Sequence, residues 1–108
     1  MNVLFVCGRN QWRSPTAEAV FAGHEGIEVD SAGLDRDAVV RVSVQSVLWA
    51  DLIFVMEKGH RTKLQRQFRK WLGGKRVICL EIPDRYEYMD DDLVHILKQR
   101  VNGHLKSS

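Results

Sequence analysis

Apolar residues along this chain fall into two alternating rhythms. The unbroken runs Val3-Leu4-Phe5-Val6, Leu52-Ile53-Phe54-Val55-Met56 and Val77-Ile78-Cys79-Leu80 read as strands buried on both faces. Elsewhere the spacing is helical. Leu64, Phe68, Trp71 and Leu72 stand at i, i+4, i+7 and i+8, and Leu93, Ile96, Leu97 and Val101 make a similar stripe. Gly73-Gly74 ends the first stripe, and Asp90-Asp91-Asp92 opens the second with charges that suit a helix N-terminus. The pattern predicts strands near residues 2–6, 27–31, 52–56 and 76–82, and helices near 14–24, 37–50, 59–72 and 90–105. Such alternation predicts an α/β fold: a four-stranded parallel sheet with helices on both faces and right-handed crossovers. Ligands of such sheets bind beyond the carboxyl ends of the strands, where strand order reverses.

Composition narrows the class. With 108 residues, 44% of them hydrophobic, the chain can bury one core, so a single domain over 1–108 is expected. No apolar stretch approaches the ~20 residues of a membrane span, and the chain enters a strand without a signal peptide, so a cytoplasmic location without a membrane partner is expected. Cys7 and Cys79 are the two cysteines, which is no disulfide framework and fits a reducing compartment. Cys79, inside a strand run, is expected in the core.

Cys7 sits elsewhere. The first apolar run leads into Cys7-Gly8-Arg9-Asn10-Gln11-Trp12-Arg13-Ser14-Pro15, with five residues between Cys7 and Arg13. Ser14-Pro15, followed by Ala17, Val20 and Phe21, reads as a helix start with Ser14 as N-cap and Pro15 at the first helical position. The loop therefore joins a strand to a helix N-terminus, where unpartnered N–H groups point outward and the helix dipole favours an anion. Phosphate is the natural guest. The same field favours a thiolate at Cys7, Arg13 offers a planar fork for two phosphoryl oxygens, and Ser14 can donate a hydroxyl to the sulfur. From these residues alone a second reading stands beside the first: Cys7 as a small buried residue at a strand end, and Arg13 as a surface charge.

The loop resembles the signature of the low-molecular-weight protein tyrosine phosphatases, which runs roughly Val-Cys-x-Gly-Asn-x-Cys-Arg-Ser-Pro after the first strand. Ser31-Ala32-Gly33 resembles the family's Ser-Ala-Gly segment, Ala50–Met56 its third strand, and Pro83-Asp84-Arg85-Tyr86 its Asp-Pro-Tyr acid loop. The resemblance implies a phosphatase loop after the first strand, with Gly8, Arg9, Asn10, Gln11, Trp12, Arg13 and Ser14 around the phosphate, and Cys7, Arg13 and Asp84 catalytic. It also implies that Tyr86 walls the substrate cleft. Several positions depart from the pattern. Arg9 replaces the glycine before Asn10, and Trp12 stands where the family has a second loop cysteine, either walling the cleft or filling the space of the missing thiol. The region between Gly33 and Val44 looks shortened, and the family's loop-supporting histidine has no evident counterpart, with Asp37 or Ser43 nearest to its place.

Asp84 earns attention on chemistry as well. Displacing an alkoxide or phenoxide from phosphorus requires a proton for the leaving oxygen, and a positioned carboxylic acid contributes ~10²–10⁴-fold. Asp84 follows Ile82-Pro83 at the end of the fourth predicted strand, where it could equally begin a turn.

Charge is uneven. Residues 57–76 hold eight Lys or Arg against Glu57 alone, and residues 81–92 hold six acids against Arg85. Lys63, Arg66 and Lys70 share a helix face opposite the apolar stripe, which reads as a solvated face; nucleic acid is not the favoured partner, because Phe68 and Trp71 lie on the core stripe. His24, His60, His95 and His104 lack ligand spacing, so neither a metal site nor a cofactor is expected.

The function expected from the sequence is a metal-independent phosphomonoesterase of the protein tyrosine phosphatase type, forming a phosphocysteine intermediate. Its expected partner is a phosphorylated substrate, a phosphotyrosine protein. The alternatives are an arsenate reductase-like protein, for which only Cys79 remains as a relay thiol, and a non-catalytic phosphate- or phosphopeptide-binding module.

Overall fold

The computed structural model describes residues 1–105. Strands β1 (Asn2–Cys7), β2 (Glu28–Gly33), β3 (Leu52–Val55) and β4 (Arg76–Cys79) alternate with helices α1 (Arg13–Phe21), α2 (Val44–Trp49), α3 (Lys58–Leu72) and α4 (Asp91–Leu105). All strand pairings are parallel, in the order β2-β1-β3-β4. The expected α/β architecture is therefore the observed one. The chain steps from β1 outward to β2, then returns past β1 to β3 and β4, so strand order reverses beside β1. The carboxyl end of β1, where Cys7 lies, is the switch point at which such sheets open a crevice.

Residue alternation along the central strands divides the core between the two faces. Val3, Phe5, Phe54 and Met56 pack with Phe21 of α1 and with Leu93, Leu97, Val101 and Leu105 of α4. Leu4, Val6, Ile53 and Val55 pack with Val47 of α2 and with Leu64 and Leu72 of α3. Phe5 stacks between Phe21 and Phe54, at ring distances of 5.7 and 5.4 Å. Both predicted helical stripes face the sheet, although Phe68 and Trp71 are only partly buried.

Four boundaries differ from the pattern. Helix α1 starts at Arg13 with Trp12 at the cap position, so Ser14 lies inside the first turn and its hydroxyl turns toward Cys7. Helix α2 is confined to Val44–Trp49 instead of spanning 37–50. Ser43 and Ser46 exchange backbone-to-hydroxyl bonds of 2.8 and 3.1 Å and start the helix there. The preceding residues form a strap along the end of β2: Gly33 N–H donates to Val40 O and Val42 N–H to Gly33 O, both at 2.8 Å. Strand β2 continues to Gly33 because both sides of it are paired. Strand β4 ends at Cys79 and not near residue 82, since Glu81 takes a left-handed conformation with φ of 53°. Cys79 itself is only partly buried, on a strand at the sheet edge.

Candidate active site

A cleft of about 210 Å³ opens at the carboxyl ends of the strands, lined by Cys7, Gly8, Arg9, Gln11, Trp12, Arg13, Asp35, Glu57, His60 and Asp84. Cys7 is buried at its floor. Its Sγ receives the Asn10 N–H at 3.2 Å and lies 3.0 Å from Ser14 Oγ.

The proton on Ser14 can be assigned by elimination. Asn10 has two amide hydrogens, and its Nδ2 lies 2.9 Å from Ser14 Oγ and 3.0 Å from Ser31 Oγ, so both hydroxyls accept from it. Ser31 donates in turn to Glu18 at 2.5 Å. Ser14 then has its own hydrogen to place, and the sulfur at 3.0 Å is better placed than Ala32 O at 3.5 Å. A chain of donors thus runs from Asn10 through Ser14 to Cys7.

Asn10 is the keystone of the loop. It is buried, sits at φ of 53°, and its Oδ1 accepts the Val40 N–H at 3.2 Å. Neither Asp37 nor Ser43 supports it: Asp37 pairs on the rim with Arg9 at 2.7 Å, and Ser43 caps α2. A backbone amide of the strap fills that role. Asparagine suits the left-handed conformation, and full bonding of its amide offsets the cost of burying it. Loop and strap both close on Gly33: a Cβ there would lie 2.5 Å from Gly8 O and 2.8 Å from Asn10 N of the loop, and 2.7 Å from Ala38 Cβ of the strap. Among the described residues, the N–H groups of Arg9, Gln11, Trp12 and Arg13 have no internal acceptor. They are the donors an oxyanion over Cys7 would meet.

Arg13 is buried, and its donors divide sharply. Both hydrogens of Nη1 are used, one to Glu57 Oε2 at 2.5 Å and one to Ile82 O at 2.8 Å. Nε and Nη2 make no hydrogen bond among the described residues, yet neither is sealed from solvent, and Asp84 Oδ1 is 3.7 Å from Nε. Asp84 itself is exposed on the rim.

His60 is mostly buried beside them. Its Nδ1 accepts the Glu57 N–H at 3.1 Å, which places the proton of the neutral ring on Nε2. Burial, followed by the nearby Arg13 charge, pushes its pKa below 6.5, against the opposing pull of Glu57, Asp35 and Asp84. The Arg9 guanidinium holds Asp37 below the usual carboxylate range, first by hydrogen bonding and then by charge.

The structure brings Cys7, Arg13 and Asp84 into one cleft, with Gly8, Arg9, Gln11 and Trp12 along its wall and Asn10 and Ser14 behind it. Trp12 is 39% exposed, a wall and not a plug. Tyr86 does not line the cleft. Its ring packs at the edge of the α1/α4 core, covered by the Arg85 guanidinium 5.5 Å from its centroid. Sequence reasoning missed Asp35, Glu57 and His60. For Glu57 a signal existed: it is the first charged residue after the run Leu52–Met56, and so lies at a strand's carboxyl end. Among the described residues, no three His, Cys, Asp or Glu side chains converge as a metal site, and no helix is long and apolar enough to cross a membrane.

No curated protein matches the chain by sequence. Among solved structures, the tyrosine phosphatase Wzb from Escherichia coli K30 in complex with phosphate superposes with a TM-score of 0.78 at 21% identity, covering 95% of this chain and 94% of that one. The low molecular weight protein tyrosine phosphatase SP-PTP from Streptococcus pyogenes gives 0.79 at 15% identity, covering 99% and 94%. The YwlE arginine phosphatase, as a cysteine-to-serine mutant with a phosphorylated active-site serine, gives 0.74 at 23% identity, covering 99% and 97%. At these identities the likeness is one of fold. The family model described as low molecular weight phosphotyrosine protein phosphatase matches residues 2–50, a stretch that holds the Cys7–Pro15 loop and Ser31-Ala32-Gly33. Over that stretch the chain is similar in sequence to the low molecular weight phosphotyrosine protein phosphatases, and through its described length it shares the fold of these solved phosphatases.

Proposed function

We propose that this chain is a cysteine-dependent phosphomonoesterase that hydrolyses aryl phosphate, with protein phosphotyrosine as its substrate class, and that it needs no metal. The observation that carries the reading is the position of Cys7 Sγ, hydrogen-bonded by Ser14 and Asn10 beneath free loop amides and the open edge of Arg13. The thiolate attacks phosphorus in line while the loop amides and Arg13 hold the equatorial oxygens. As the P–O bond breaks, Asp84 gives its proton to the leaving oxygen. Water then attacks the phosphocysteine, Asp84 takes its proton, and the P–S bond breaks to release phosphate. That a neighbouring fold carries phosphate on the serine replacing its active-site cysteine supports a covalent intermediate here.

Phosphoarginine is the other substrate raised by the neighbours. A guanidinium leaving group would be drawn to a net acidic rim. Here each rim carboxylate faces a cation: Asp35 meets Lys63 at 3.3 Å, Glu57 meets Arg13 at 2.5 Å and Asp84 meets Arg13 at 3.7 Å. The exposed Trp12 ring favours an aryl group instead. An arsenate reductase relay through Cys79 is disfavoured by distance. Cys79 pairs with Val55, and Val55 with Val6, so two strand spacings, about 9.5 Å, separate the Cys79 register from β1, beyond the ~7 Å that a disulfide spans.

The test is hydrolysis of phosphotyrosine peptide, phosphoarginine and a simple aryl phosphate in excess chelator. Turnover of the aryl substrates above phosphoarginine is expected. Phosphate binding without turnover of any of them would leave a binding module, and arsenate reduction with a thiol donor would favour the reductase.

A further inference from the structure

Glu57 lies outside every motif that marks the loop, yet it holds the one arginine on which phosphate recognition depends. We infer that Glu57 is a positioning residue: it anchors the Nη1 edge of Arg13 and so turns the Nε/Nη2 edge toward the phosphoryl group. The inference rests on the phosphatase reading and names a residue which that reading does not require.

A guanidinium has two edges suited to a two-point anion contact that include Nη2: the end-on pair Nη1/Nη2, and the side-on pair Nε/Nη2, whose N–H bonds run parallel. In this structure Nη1 is fully occupied by Glu57 Oε2 and Ile82 O, which removes the end-on mode. The side-on edge is open to the cleft. Glu57 is itself fixed. Its backbone N–H is held by His60 Nδ1 at 3.1 Å, and its carbonyl receives the His60 N–H at 3.0 Å as α3 begins. Burial of Arg13 adds force to the argument, because a buried guanidinium without a carboxylate partner is costly and would turn to whatever acceptor is near. The nearest is Asp84, at 3.7 Å from Nε. Without Glu57, Arg13 would close on the proposed acid and present less of itself to phosphate.

Simple electrostatics predicts the opposite outcome. A carboxylate beside a phosphate site repels the dianion, so its removal should tighten phosphate binding. Calorimetric titration of inorganic phosphate into the wild type, Glu57→Ala and Glu57→Gln separates the two accounts. Glutamine keeps an acceptor oxygen for Nη1 and loses the charge. The expected result is at least about tenfold weaker binding in Glu57→Ala, corresponding to ~1.4 kcal/mol, with Glu57→Gln recovering most of the loss. In the aryl phosphatase assay the alanine variant should show the loss chiefly as a raised KM. Thermal melts of each variant above the assay temperature keep the comparison one between folded proteins. Phosphate bound as tightly or more tightly by Glu57→Ala would overturn the inference, as would a glutamine variant no better than alanine. If the wild type binds phosphate but hydrolyses no ester, the phosphatase reading fails while the titration still decides the role of Glu57.

Discussion

Two loops face each other across the cleft, and they are held in place by different means. Residues 8–12 after β1 are tied by their own side chains: Asn10 reaches Ser14 and Ser31 and accepts from Val40, and Cys7 and Ser14 are buried. Residues 80–90 after β4 are largely exposed, Asp84 among them. The positive-φ residues other than glycine lie in these two loops, Asn10 in the first and Glu81 and Met89 in the second. Asparagine bonds locally in that conformation; glutamate and methionine do not, at roughly 1–2 kcal/mol per residue. The second loop is therefore held from outside. Arg100 of α4 donates to Leu80 O at 2.5 Å and Glu81 O at 2.6 Å, and Thr16 Oγ1 accepts the Met89 N–H at 2.9 Å. Arg13 joins the two loops through Ile82 O. The loop proposed to hold phosphate is ordered by its own buried asparagine, while the loop proposed to deliver the proton borrows its order from helices.

The comparison breaks most completely at Cys7. Cys7→Ser should lower steady-state turnover by more than about 100-fold, because a serine hydroxyl is not ionised there. The loop amides and Arg13 remain, so phosphate binding should persist in titration. Mass spectrometry should find either an unmodified serine or one that has gained a phosphoryl group it releases slowly. Near wild-type turnover of the purified variant would remove Cys7 from the mechanism.

Asp84→Asn tests the opposite loop. Phosphate binding should survive, and hydrolysis of tyrosine phosphate, whose phenol has a pKa near ~10, should slow by ~10²–10⁴-fold. Substituted phenyl phosphates with better leaving groups need less protonation and should lose less. The readout is the slope of log kcat/KM against leaving-group pKa, steep in the variant and shallow in the wild type. Equal slopes would return Asp84 to the role of a turn residue.

How far the sequence foretold each loop follows from the same contrast. The Cys7–Pro15 loop is contiguous, so its strand, its donors and its candidate nucleophile could be read from neighbouring letters. The one error there, Ser14 as N-cap, arose because a hydroxyl at a helix start serves either the backbone or a side chain, and here Cys7 and Asn10 engage it. Residues 37–43 carry Ala38, Val39, Val40 and Val42, a pattern that continues smoothly into α2. Their backbone groups instead serve Gly33 and Arg9 across the loop, which no local rule encodes. Asp35 follows β2, whereas Glu57 and His60 open α3 after β3, and the two places meet only because β2, β1 and β3 are adjacent. Tyr86 was assigned to the cleft by resemblance, but its ring found apolar cover at the α1/α4 core edge.

Arg100 sharpens the distinction at a smaller scale. Arg100→Ala removes the donors from the Leu80 and Glu81 carbonyls, the second at a residue whose backbone is already strained. The expected cost is roughly tenfold in kcat for tyrosine phosphate, since ~1.4 kcal/mol of lost positioning corresponds to that factor. Phosphate affinity should not change, because Arg100 touches nothing in the first loop. An activated aryl phosphate should lose less, as is expected for Asp84→Asn, and Arg100→Lys should recover part of the rate. A uniform loss across substrates, with weakened phosphate binding, would mean that α4 supports the whole cleft and that the two loops are not independent.

The smallest effect lies at the seam between the loops, where His60 holds Glu57. The Glu57 N–H needs an unprotonated Nδ1, and the folded protein keeps His60 neutral below its ordinary 6.5 because burial and Arg13 outweigh Glu57, Asp35 and Asp84. The unfolded chain takes up a proton near ~6.5, and the folded chain only at lower pH, so the unfolded state binds more protons in between. Stability from this site is complete above about pH 6.5 and is lost as pH falls from there toward the lowered folded value. His60→Asn places an untitratable amide oxygen where Nδ1 accepts, and should keep the bond near neutrality. His60→Ala should cost about 0.5–1.5 kcal/mol there. Thermal unfolding across the range from neutral to mildly acid pH should therefore fall less steeply for His60→Asn than for the wild type. Parallel curves would mean that protonation of His60 is not linked to folding.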